Sequence, residues 1–226
     1  INIDNLIEFK NNLNKKNSRS NIDILKLDVT SKDSWIKIKK FCLDKYNKID
    51  ILVNNAAFTN QSKTPSFNST FFNFPLDDFN KLIQVNLNGS FLGCQIIGEV
   101  MVNQKNGSII NMASLYGVVS PNHTIYENTE ISQPPAYSIS KAGVIQLTKY
   151  CGTLFAKDNV RVNCITPSGI FNNHSGLFLE RFNKLIPMKR MADKSEMRGA
   201  LVYLASNASS HCTGHNLIVD GGWTSW

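Results

Sequence analysis

The chain has 226 residues, 42% hydrophobic and 18% charged, a balance that fits one globular domain and excludes a disordered or fibrous chain. It contains no apolar run of the roughly 18 residues a membrane helix needs. Twenty-four Lys and Arg against 17 Asp and Glu leave a formal charge of +7. No basic block interleaves with aromatics, so the positive balance suits phosphorylated small molecules better than nucleic acid.

The coarse pattern alternates helix and strand. Residues 4–16 read as a helix, amphipathic through Leu6, Ile7, Phe9 and Leu13. A strand is predicted near 22–28, then a helix over 31–47 capped by Thr30 or Ser31. Strand 50–54 follows, with a long loop to Pro75 and a long helix over 76–103. Strand 108–113, helix 135–156, strand 160–166, helices 176–184 and 193–206, and strand 216–220 complete the chain. Near-continuous apolar strands separated by helices predict a parallel sheet covered on both faces, with right-handed crossovers.

Five cysteines are scattered, and none forms Cys-x-x-Cys. No signal-peptide pattern opens the sequence, so reduced thiols in a cytoplasm are expected. The four histidines do not cluster as a zinc site, and no metal is expected.

The run Ala136-Tyr137-Ser138-Ile139-Ser140-Lys141 carries the chemistry. A Tyr and a Lys four apart on a helix share one face. An adjacent ammonium favours phenolate, so the pair can move a proton to or from an alcohol or carbonyl oxygen. Ile109 to Ser114 is an apolar strand ending in a Ser. Ile51 to Ala57 ends in Asn-Asn-Ala-Ala, Leu25 to Thr30 contains Asp28-Val29, and Val85-Asn86-Leu87-Asn88-Gly89 lies in the long helix. Val160 to Pro167 and Leu217 to Gly222 are the last strands.

In this order these segments resemble the short-chain dehydrogenase/reductase family over nearly the whole chain. The resemblance implies one Rossmann-like domain over residues 1–226, a doubly wound parallel sheet in three α/β/α layers. It implies that Tyr137 is the general acid–base and that Lys141 lowers its pKa and bonds the nicotinamide ribose. Ser114 would hold the substrate oxygen, and Asn86 a relay water. NAD or NADP is implied, near Asp28, Val29, Asn55, Ala56, Ala57, Tyr137, Lys141, Pro167 and Ile170. The family's glycine-rich turn does not precede Asp28, and the sequence starts at Ile1. An N-terminally truncated or partial chain is therefore expected, lacking the first strand–turn–helix unit and leaving NAD against NADP unreadable. Departures from the family pattern are Ala57 and Ser168, where Gly is usual, and Asn172, where Thr often bonds the cofactor phosphate.

Long connections tend to be functional lids. The segments at about 115–134 and 168–186 are expected to cover a small-molecule substrate. Their amides, hydroxyls and carboxylates suit a polyhydroxylated one, contacted by Ser114, Tyr126, Glu127, Asn128 and Tyr137. A sugar or amino-sugar phosphate is expected, because Gly117 to Pro121, Ile125 to Asn128 and the ending Val219 to Trp226 resemble dehydrogenases of flagellin-glycan and surface-polysaccharide pathways. The alternatives are a non-catalytic nucleotide-binding protein of the same fold and a sugar-nucleotide epimerase or dehydratase. Apolar residues on helices 76–103 and 135–156 (Leu92, Ile96, Ile97, Val100, Val144, Ile145, Leu147, Leu154) predict a homodimer or homotetramer, with Trp223 and Trp226 offered to a second interface.

Overall fold

The computed structural model describes residues 3–16, 21–59, 69–129, 131–174 and 176–226. Four parallel strands pair in chain order: β1 (Ile51–Asn54), β2 (Gly107–Met112), β3 (Val160–Pro167) and β4 (Asn216–Val219). The register runs Asn54 opposite Asn111, and Asn111 opposite Cys164. The two-residue period of each strand divides the core. Ile109 and Val162 pack with Trp35, Ile97 and Met101 on one face. Their neighbours Ile110 and Ile165 pack with Met197 and Leu204 on the other. Helices α2 (Lys32–Tyr46), α4 (Gly89–Gln104) and α5 (Pro135–Phe155) supply the first face, and α7 (Met197–Ala205) the second. The result is the expected α/β/α layering. Helix α1 (Ile3–Lys16) precedes it in the chain.

Several boundaries have clear local causes. Ser31, not Thr30, caps α2, its hydroxyl accepting from the Ser34 amide at 3.2 Å. The long helix expected over 76–103 is α3 (Leu76–Ile83) and α4, joined by one π-helical turn at Gln84–Asn88. The Asp193–Glu196 capping box forms a 3₁₀ turn, so α7 starts later than expected.

The strand expected near 22–28 forms no ladder among the described residues. Leu27 and Val29 do pack on the core, which is why the segment reads as a strand. Apolar packing alone does not make a strand without a neighbour to exchange hydrogen bonds.

Beneath the strand ends, a buried amide chain ties two strands to α5. Asn54 Nδ2 donates to Asn111 Oδ1 at 2.8 Å, and Asn111 Nδ2 to Thr148 Oγ1 at 2.9 Å. Gly93 is required beside it, since a Cβ there would lie 2.4 Å from Asn54 Oδ1. Satisfied networks of this kind rigidify a core. No described helix is long and apolar enough to cross a membrane.

Candidate active site

The site lies at the carboxyl ends of the strands, where open parallel sheets bind ligands. Ser114 follows β2 in extended conformation and caps the 3₁₀ turn Leu115–Gly117, accepting from the Tyr116 amide at 3.3 Å. Helix α5 starts at Pro135, with φ preset for the first turn. Its first turn presents Tyr137, and the next presents Lys141. The Ser114 hydroxyl lies close enough to the Tyr137 phenol to lower its pKa.

Lys141 is only 3% exposed. Its Nζ donates to the Met112 carbonyl at 2.7 Å and lies 5.8 Å from the Tyr137 ring centroid. Burial brings its pKa down to about 8. Burial also raises the Tyr137 pKa, against a smaller lowering from Ser114. The expected lowering of the phenol by Lys141 is therefore not the dominant effect in this arrangement. The ammonium lies over the ring and is aimed at the β2 carbonyl, and desolvation of the phenolate outweighs the rest.

Asn86 sits on the π-helical turn, a distortion common at functional sites. Its Oδ1 accepts from the Phe58 amide at 2.6 Å. Its Nδ2 donates to the Phe58 carbonyl and to Ser140 Oγ, both at 3.2 Å. Both amide hydrogens are thus spent on protein, so the side chain straps the loop after β1 to α5 instead of presenting a donor to a relay water.

A cavity of about 280 Å³ contains Ser114 and Tyr137. Pro167, Ser168, Gly169 and Ile170 form one wall; Tyr126 lines it with Tyr116 from the first lid segment, and His174 with Phe178 from the second. Glu127 and Asn128 do not line it. They occupy the turn closed by the Thr129 amide on the Tyr126 carbonyl, where Asn128 takes φ +58°, a conformation Asn tolerates. The Glu127 carbonyl instead accepts from Arg181 on α6 (Gly176–Leu185) at 2.6 Å, and the Thr124 carbonyl from the same nitrogen at 3.0 Å. Arg181 thereby latches the two lid segments together.

A second, narrower cleft is lined by Val29, Val53, Asn55, Ala56, Val85 and Gly89. A Cβ at Gly89 would reach within 2.9 Å of Val29 Cγ2, so the helix must come this close without a side chain. Asp28 stands at its edge, its carboxylate taking the Thr30 amide and hydroxyl, which lowers its pKa. Ala57 does not adopt positive φ, so replacing the usual glycine brings no strain there. Asn172 donates its amide to His174 Nδ1 at 3.2 Å.

These residues fit a nicotinamide dinucleotide. The buried Lys141 ammonium has three donors and spends one on Met112, leaving hydrogens for ribose hydroxyls. The cleft lined by Asn55 and Ala56 is open beside the sheet end, where a flat ring can enter. His174 is among the polar groups the second lid segment offers in the sequence, whereas Tyr116 escapes the sequence reading because nothing in the spacing of a lid shows which side chains turn inward.

A family model described as enoyl-(acyl carrier protein) reductase matches residues 4–224. The chain is 32% identical over 201 residues to the post-translational flagellin modification protein A of Campylobacter coli, covering 88% of this chain and 77% of that protein. It is 33% identical over 205 residues to the NAD-dependent glycerol dehydrogenase of Listeria innocua, covering 88% and 74%. The crystal structure of a short-chain dehydrogenase from Leptospira borgpetersenii with bound NAD+ superposes with a TM-score of 0.78 at 32% identity, covering 88% and 74%. The fold and the site define a nicotinamide-dependent oxidoreductase acting on CH–OH groups. The chain belongs to the short-chain dehydrogenase/reductase family.

Proposed function

We propose that the protein interconverts a secondary alcohol and a ketone on a polyhydroxylated substrate, a sugar or amino-sugar, free or phosphorylated, with Tyr137 as general acid–base. One observation carries the reading: a single cavity holds Ser114 and Tyr137 beneath two lids that offer hydroxyl, amide and imidazole groups. When bound, the nicotinamide accepts or returns the hydride. In the oxidising direction Tyr137 takes the hydroxyl proton and Ser114 orients that oxygen. To accept that proton Tyr137 must be the phenolate, and Lys141, held by Met112, bonds the ribose and offsets the phenolate charge before the proton arrives. Asn86 keeps the loop from Asn55 to Thr59 in place beside both clefts. The similarity to a flagellin modification protein and a glycerol dehydrogenase supports a carbohydrate-like substrate and a role in surface glycan synthesis. Absorbance of reduced nicotinamide, followed across sugars, polyols and apolar ketones, tests this; a clear preference for apolar ketones overturns it.

The protein is also proposed to be a cytoplasmic homodimer or homotetramer. Phe91, Tyr150 and Leu154 are 46%, 65% and 49% exposed, around a cavity between α4 and α5. The residues expected to form this face are in part internal, since Ile96, Ile97, Val100 and Val144 are buried within the protomer. Trp223 is likewise buried, with its ring 4.7 Å from that of Phe182, whereas Trp226 is exposed.

A further inference from the structure

We infer that His174 is a specificity-determining residue of the cavity, its Nε2–H holding a substrate hydroxyl away from the reacting carbon. This rests on the polyhydroxylated-substrate reading above and adds the group that recognises it.

The argument is one of hydrogen-bond capacity. His174 Nδ1 accepts from the Asn172 amide at 3.2 Å, so in neutral imidazole that nitrogen carries the lone pair and Nε2 carries the hydrogen. Burial lowers the His174 pKa, which favours the neutral form. The ring is held by Phe171 and Phe178, with centroids at 6.3 and 5.7 Å. Among the described residues Nε2 has no partner, while the side chain lines the cavity that holds Ser114 and Tyr137.

A matching surplus lies on the other side of the Phe178 ring, which contacts both His174 and Tyr126. The Tyr116 and Tyr126 hydroxyls lie 2.6 Å apart, so one hydrogen is shared between them and the other is left over. Burial pushes the Tyr116 pKa up to about 12 and raises that of Tyr126, so both phenols stay protonated at neutral pH. Two neutral donors therefore belong to side chains that line the cavity beside the Ser114–Tyr137 pair. A substrate with one oxygen at Tyr137 and further hydroxyls along its chain satisfies them; a monoalcohol leaves them unpaired. Sites built to hydrogen-bond a hydroxyl discriminate strongly against analogues lacking it.

His174→Phe and His174→Gln in the full chain provide the test, assayed with a pentitol and with 2-pentanol. His174→Phe is expected to raise the pentitol KM about 10- to 100-fold, the loss of one hydrogen bond with its partner left unsatisfied. kcat should stay within about threefold, and the dissociation constant for NAD or NADP should not change. The 2-pentanol kinetics should be insensitive, and His174→Gln, which keeps an N–H, should recover part of the pentitol KM. An unchanged pentitol KM, or an equal loss for pentitol and 2-pentanol, overturns the assignment. A wild-type enzyme that does not favour the pentitol over 2-pentanol removes the polyhydroxylated reading itself, and this inference with it.

Discussion

The Lys141 ammonium and the Met112 carbonyl, 2.7 Å apart, lock the Tyr137–Lys141 face of α5 to the carboxyl end of β2. The contact fixes where Lys141 stands relative to Tyr137, but it holds a cation in a buried place with no carboxylate bonded to it among the described residues. Function and stability are opposed at this residue.

Lys141→Met should raise stability and abolish activity. The folded pKa is about 8, below the unfolded value, so the folded state releases its proton first as pH rises. The destabilisation is fully present below pH 8 and is relieved between there and the unfolded pKa near ~10.4. The gain at pH 7 is expected to approach ~3 kcal/mol, less the lost Met112 bond, and to shrink above pH ~9. Thermal unfolding of both proteins across pH 6 to 10 reads this directly; a variant less stable than wild type at pH 7 contradicts it.

Tyr137→Phe should lower kcat by about 10²- to 10⁴-fold while leaving nucleotide affinity nearly intact. The ring packs with Leu82 and Ala136, and in the proposed role only the oxygen moves the proton. Turnover within about tenfold of wild type would remove Tyr137 from the acid–base role.

Asn86→Ala should cost about 1–3 kcal/mol, because the two side-chain bonds to the Phe58 backbone and the one to Ser140 are lost. The thermal midpoint should drop by several degrees. Since the loop from Asn55 to Thr59 borders both clefts, nucleotide affinity should fall as well. Calorimetry showing normal nucleotide binding would limit Asn86 to other work.

Arg181→Leu should loosen the lid without touching the nucleotide cleft. The two carbonyls it bonds, of Thr124 and Glu127, flank Tyr126. Substrate KM is expected to rise about 5- to 50-fold at unchanged nucleotide affinity, with Arg181→Lys intermediate because it keeps the charge and an N–H donor but not the planar guanidinium geometry. Equal KM for wild type and Leu variant would show that the latch does not order the site.

Light scattering at micromolar concentration should give a dimer or a tetramer. Tyr150→Asp combined with Leu154→Glu should shift it toward monomer, as charges on an apolar contact are left desolvated. A monomeric wild-type protein defeats the proposed α4–α5 contact.

Local periodicity made much of this protein legible in one dimension. The alternation Ile109, Ile110 and Val162, Ile165 encodes a sheet buried on both sides, because successive strand residues point to opposite faces. Tyr137 and Lys141 share a helix face by spacing alone. Tertiary structure decided what depends on contacts distant in sequence. Asn86 reaches Phe58 and Ser140, 28 and 54 positions away, and no local pattern shows where its amide points. Trp223 looks like an interface residue until Phe182 covers it. Residues 22–28 have strand-like composition, but pairing is a property of two segments. Which lid side chains line the cavity was settled by such contacts: Tyr116, Tyr126 and His174 line it, while Glu127 and Asn128 stay in the bend whose carbonyls Arg181 bonds.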